Sequence, residues 1–131
     1  MNRRIWVVLS IAYAAGIFAL SSLPLAGSVV FPGSGIDKLI HAAEYALLFL
    51  IVRRAVCGKT GLSLLITVPY AGSDELHQAF VPGRHAGIDD FAADLAGILL
   101  LVALSALLRR FPLLARFRRR ILSHVVSRKG D

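Results

Sequence analysis

Asp37 and His41, His41 and Tyr45, Asp74 and Gln78, and Asp90 and Asp94 each stand four residues apart, the spacing that puts two side chains on one helical face. Glu44 and Glu75 sit among them. A histidine beside carboxylates supports general acid/base catalysis, because imidazole titrates near neutral pH and an adjacent acid tunes it. On that reading His41, Asp74 and Glu75 would be the catalytic groups. The same histidine with Asp74, Glu75 and Asp94 could hold a divalent cation through nitrogen and oxygen. No metal signature of defined spacing is present, so the metal and any other cofactor stay unassigned. Ser34 and Ser73 lie nearby, but neither sits in a recognisable nucleophile elbow.

These residues share a second property, their place along the chain. Seven of the eight acidic residues, Asp37, Glu44, Asp74, Glu75, Asp89, Asp90 and Asp94, lie at the ends of long apolar runs, and most arginines lie at the opposite ends. With 131 residues, 56% of them hydrophobic, and a mean hydropathy of +0.70, the chain carries more apolar surface than a small water-soluble domain can bury. The expected fold class is all-α: a single integral membrane domain of four transmembrane helices, spanning about 5–23, 36–52, 61–80 and 88–108. Each run approaches the length needed to cross about 30 Å of hydrocarbon. Pro69 is expected to kink the third span. A cleaved leader is the competing reading of the first run, since Asn2-Arg3-Arg4 precedes it and Leu25-Ala26-Gly27 follows, but the run exceeds the usual leader core. A soluble bundle is the competing fold, against which stands Ile98 to Leu108, without one charged residue.

Charge sets the orientation. Thirteen of the fifteen basic residues fall in the N-terminus, the loop between spans two and three, or the C-terminal tail. Short cytoplasmic loops collect Lys and Arg, so both termini are expected in the cytoplasm, with the acidic ends facing outward. The net charge of +7 is thereby explained better than by nucleic acid, whose binders interleave a basic face with stacking aromatics. In the tail, residues 112–127 place Leu113, Leu114, Phe117, Ile121, Leu122 and Val125 at helical spacing among arginines, which reads as a short basic amphipathic helix at the lipid interface or as a basic tail. Cys57, the single cysteine, excludes an internal disulfide and reads as an ordinary small residue of a cytoplasmic loop.

Ionisable groups inside a span cost several kcal/mol each unless they meet a cavity or a partner. Asp37, Asp89 and Asp90 lie near helix starts, where a carboxylate caps orphan amides. Glu44, Asp74, Glu75 and Asp94 lie too far inside for capping. Arg84 follows Val81-Pro82-Gly83, a turn expected to fold its guanidinium over the acidic ends, to pair with Asp74, Glu75 or Asp94 or to clamp a phosphate. His77 and His85 are weaker candidates, and His124 belongs to the tail. Seven acids against Lys38 and Arg84 leave this end with a formal charge of about −5, which favours cations or amines.

Three segments resemble the VanZ-like family of small bacterial membrane proteins, named for a member associated with teicoplanin resistance. They are Ser21-Ser22-Leu23-Pro24; Asp37-Lys38-Leu39-Ile40-His41 with Glu44-Tyr45; and Asp74 to Arg84 leading into Asp90, Asp94 and Gly97. One departure is Asp94, where many members carry Asn. The resemblance implies a multi-pass protein of the bacterial cytoplasmic membrane, with a link to envelope or glycopeptide-antibiotic resistance, and assigns no settled activity.

The leading expectation is an outward-facing polar pocket of Asp37, Lys38, His41, Glu44, Tyr45, Asp74, Glu75, Gln78, Arg84, Asp90 and Asp94. It would bind an envelope lipid headgroup or cell-surface ligand, with membrane lipids as partners and no nucleic acid. The alternative is a membrane-embedded acid/base or metal-assisted enzyme acting on a lipid-linked substrate. A proton- or cation-coupled transporter ranks third, since four spans leave little room for alternating access unless the protein oligomerises. A homo-oligomer stays open, with Gly16 and Gly97 as close-packing candidates, although a lone glycine predicts no partner.

Overall fold

The computed structural model describes residues 2–24, 35–84 and 86–110. Its described residues form four helices and no strands: α1 (Arg3–Ser21), α2 (Ile36–Ala55), α3 (Thr60–Gln78) and α4 (Ile88–Arg110). The basic segment after Arg110, His85 and Ser34 lie outside the described residues. Two compact units divide the chain, Met1–Leu99 and Leu100–Asp131. In the second, the described residues complete α4, with Ser105 Oγ donating to the Val102 carbonyl at 2.9 Å.

Local chemistry explains the helix ends, which differ by a few residues from the expected spans. α1 starts at Arg3 because the Asn2 side chain accepts the Arg4 N–H at 3.2 Å, and a capping side chain satisfies a donor that the helix cannot. It stops at Ser21, ahead of Leu23-Pro24, since a residue before proline is steered out of the α region. α2 continues to Ala55, with Arg53 and Arg54 in its last turn, where cations complement the dipole. Cys57 at φ 58° and Gly58 at φ 80° then reverse the chain. α3 runs unbroken through Pro69.

In the first unit α1 packs on α2, α2 on α3, and α1 on α3. Arg3 Nε donates to the Ala55 carbonyl at 3.2 Å, and the Arg54 guanidinium lies 5.7 Å from the Trp6 ring centroid. The start of α1 therefore sits beside the end of α2. At the other end the last turn of α1 meets the last turns of α3, where Ser21 Oγ donates to Asp74, and the start of α2 meets the start of α4, where Lys38 pairs with Asp89 and Asp90. One end of the unit thus collects the acidic residues, the other Arg3, Arg4, Arg53, Arg54 and Lys59.

The interior has a narrow apolar stripe and a polar end. Tyr45, Leu48, Phe49 and Val52 are buried on one face of α2, at the spacing of a helix facing a core. Ala71, Ile17 and Ile98 join them. Ser63, Thr67, Asp74, Glu75, Gln78 and Asp94 are buried as well, while Val8, Ile11, Leu39, Leu65 and Leu100 stand exposed. Apolar outside and polar inside is what a lipid solvent favours, because only the polar groups need protein partners there. α1 and α4 are long and apolar enough to cross a membrane. α2 and α3 do not reach that standard, since the turns at their acidic ends carry the polar residues of the site.

At Gly97 the backbones of α2 and α4 come close together. A Cβ there would collide with the Ala42 carbonyl and lie 2.9 Å from Ala42 Cα, so the backbones of α2 and α4 meet where only glycine fits. Gly16, the other close-packing candidate, faces open space, with nothing within 4 Å of a Cβ.

Candidate functional site

His41, Glu75 and Asp94 come from three different helices and converge. His41 Nδ1 lies 3.1 Å from Asp94 Oδ1 and 3.8 Å from Glu75 Oε1. One ligand-type atom from each of the three falls within 4.8 Å of the others. Asp94 is 0% exposed and Glu75 8%. Backbone position explains the convergence: Gly97 rests on Ala42, and one turn back along α4 Asp94 is thereby set against His41, the neighbour of Ala42.

The adjacent carboxylates Asp74 and Glu75 turn to different partners, as a rotation of about 100° per helical residue requires. Glu75 Oε2 accepts the Gly87 N–H at 3.3 Å, and Oε1 faces His41. Asp74 instead accepts from Ser21 Oγ at 2.6 Å and from Gln78 Nε2 at 3.1 Å. Each buried carboxylate then has at least one charge-assisted hydrogen bond, which such a group needs away from water. Three carboxylate oxygens remain over, Asp37 Oδ1 at the rim and two in the centre. Glu75 Oε1 and Asp94 Oδ2 are buried and have no hydrogen-bond partner among the described residues.

Around this centre lies a charged rim. Lys38 Nζ pairs with Asp90, with Asp89 at 2.6 Å and with Asp37 at 3.7 Å. Asp89, expected as a cap, lies in the first turn of α4 with its side chain 69% exposed, so its carboxylate complements both the helix dipole and Lys38. Glu44 is half-buried one turn beyond His41, and its carbonyl accepts the Tyr13 hydroxyl at 3.5 Å. Tyr45 is fully buried, its ring tilted at 6.3 Å against Tyr70.

Arg84 departs from expectation. Its guanidinium donates to the carbonyls of Leu20 at 2.6 Å and Leu23 at 3.3 Å, so it closes the C-terminal end of α1, whose last carbonyls lack helical partners, and its bonds do not go to Asp74, Glu75 or Asp94. His77, in the last turn of α3, also packs against the end of α1: its ring stacks on Phe18 at 4.5 Å and its Nε2 lies 3.0 Å from Ser22 Oγ.

The contributors that sequence reasoning passed over are Ser21 and the Gly87 amide. Ser21 had a signal, since Ser21-Ser22 closes the first span at the level of the acids. Gly87 had none, because any residue except proline offers that N–H.

Comparison with curated proteins and with solved structures gives no significant match. The model of the VanZ/LLP1 family matches residues 3–109, which covers nearly all of the described helices. The chain belongs to the VanZ/LLP1 family.

Proposed function

We propose that this protein is a four-span integral protein of the bacterial cytoplasmic membrane, with both termini inside, whose outward-facing polar end binds the polar head of an envelope lipid or a related cell-surface ligand. Its contribution to envelope or glycopeptide-antibiotic resistance would follow from that binding. The observation that carries the reading is the convergence of His41, Glu75 and Asp94 from three helices, with two buried carboxylate oxygens left over. Buried ionisable groups within membrane helices are costly and mark ligand or ion sites.

The polar end divides its work on this reading. Lys38 is held by three carboxylates and Arg84 by α1 carbonyls, so the free capacity is accepting: Glu75 and Asp94 would take hydroxyl or amine donors of a headgroup. Asp74, Gln78, Glu44 and Tyr45 would shape the floor, and Asp37, Lys38 and Asp90 the rim. An alanine series at His41, Asp74 and Arg84 tests this in cells lacking the native copy, read as membrane lipid composition and sensitivity to envelope-acting antibiotics. Changes confined to the site variants are expected; an unchanged profile across the series rejects the proposal.

A second reading, an acid/base or metal-assisted enzyme acting on a lipid-linked substrate, draws on the 3.1 Å contact of His41 Nδ1 with Asp94. There His41 would exchange a proton with substrate or water while Asp94 orients the ring. Turnover of polyprenyl or phospholipid substrates that depends on His41 would favour it over binding alone.

A further inference from the structure

We infer that His41, Glu75 and Asp94 form a binding site for one divalent metal ion of the Zn²⁺ or Mn²⁺ type. The inference deepens the proposed outer site by naming its inorganic ligand, and rests on the same cluster without depending on which lipid the site faces.

The donor set points to this class. One imidazole nitrogen and two carboxylate oxygens suit Zn²⁺ or Mn²⁺, whereas Ca²⁺ takes six to eight oxygens and Mg²⁺ keeps mostly oxygen and water. Geometry agrees. Ligands about 2.0–2.1 Å from a tetrahedral metal lie about 3.3 Å apart, and His41 Nδ1 stands 3.1 Å from Asp94 Oδ1 and 3.8 Å from Glu75 Oε1. The third pair, Glu75 and Asp94, lies within 4.8 Å, so the carboxylates would draw in around the ion. Three protein ligands leave a fourth position for water or a headgroup oxygen, the pattern of an open site.

Two independent observations separate this cluster from an ordinary group of acids. Glu75 Oε1 and Asp94 Oδ2 are buried and have no hydrogen-bond partner among the described residues, which leaves lone pairs that a cation would take. Glu75 is also already aimed: its other oxygen is held by the Gly87 N–H, the kind of outer contact that orients a metal-ligating carboxylate. Charge balance runs the same way. Asp74 is satisfied by Ser21 and Gln78, and Lys38 is engaged by Asp37, Asp89 and Asp90. Among the described residues His41 is then the cationic partner within 4 Å of Glu75 and Asp94, and one imidazolium does not offset both carboxylates while both are ionised. A divalent ion with neutral imidazole would.

Purified full-length protein in detergent, stripped with chelator, is titrated with Zn²⁺. The expected result is one ion per chain, a raised Tm, and proton release on binding, since a metal takes the imidazole in its neutral form. Asp94→Asn and Glu75→Gln should each weaken binding about 100-fold or more, beyond the 10–100-fold cost of losing an outer-shell partner. His77→Ala, which removes the neighbouring histidine, should leave stoichiometry and affinity unchanged. Because a substitution at Asp94 could prevent folding, Mn²⁺ bound to the unaltered protein gives a second readout: pulsed electron paramagnetic resonance should detect one imidazole nitrogen coupled to the ion. Absence of stoichiometric binding by the unaltered protein, absence of that nitrogen, or binding that survives Glu75→Gln but disappears with His77→Ala overturns the assignment. The lipid proposal fails separately, since an unchanged lipid and antibiotic profile in cells leaves the Zn²⁺ titration of purified protein standing, and a failed titration leaves the cellular phenotype standing.

Discussion

Ser21 Oγ donates a 2.6 Å hydrogen bond to Asp74 Oδ1, tying the last turn of α1 to the last turns of α3 across 53 residues of sequence. Both residues are buried, at 4% exposure each. A hydroxyl that serves a buried carboxylate contributes more than an average hydrogen bond, because its loss leaves one carboxylate oxygen, Asp74 Oδ1, without this partner and only the Gln78 bond to Oδ2 in place.

Ser21→Ala should therefore destabilise the protein by about 1.5–3 kcal/mol, while Ser22→Ala, whose hydroxyl bonds the Phe18 carbonyl in the exposed part of the same turn, should have a smaller effect. Thermal unfolding in detergent measures both. Equal melting temperatures for the two variants would show that the Ser21–Asp74 bond contributes nothing special.

The two span glycines should respond in opposite ways. Gly97→Ala drives a methyl into the Ala42 carbonyl, and overpacking of this kind costs about 1–3 kcal/mol. It should also displace Asp94 from His41, so Zn²⁺ affinity should fall with stability. Gly16 has open space, so Gly16→Ala should be neutral or raise stability by up to about 1 kcal/mol through helix propensity. A Gly97→Ala protein as stable as the parent would contradict the close contact between α2 and α4.

Lys38 should matter more than any one of its partners. Lys38→Met leaves Asp37, Asp89 and Asp90 as mutually repelling neighbours at the rim, whereas Asp89→Asn removes one exposed member of the set. The expected order of melting temperatures is parent, then Asp89→Asn, then Lys38→Met. The difference should shrink in high salt, because exposed charges are screened. The reverse order would mean that Lys38 does not organise the rim.

Labelling tests the proposed four-span orientation. Cys57 is exposed in the turn between α2 and α3, so a membrane-impermeant maleimide should reach it in inverted vesicles and not in intact spheroplasts. Ala86→Cys in a Cys57→Ser background occupies an exposed position before α4 and should label from the opposite side. Labelling of both positions from one side would refute the arrangement of spans.

Helix number, helix position and the acidic end were readable without coordinates. Long apolar runs bounded by polar residues and Pro/Gly turns place four helices, and the sorting of arginine from aspartate places the polar side chains of α2, α3 and α4 at one end. Those properties are local, or depend only on where a run starts and stops. The i,i+4 pairs also showed which residues of one helix share a face, so His41 and Asp94 could each be assigned to a stripe.

What tertiary structure decided is which stripes meet. Neighbouring Asp74 and Glu75 carry the same charge in the sequence, yet one serves Ser21 and Gln78 while the other faces His41. Arg84, expected over the acids, turns to the carbonyls ending α1, and Lys38 is drawn into the rim. Such choices depend on the rotation and depth of each helix relative to the others. Those are set by packing contacts such as Gly97 on Ala42, which join residues far apart in the chain and follow no periodicity within it.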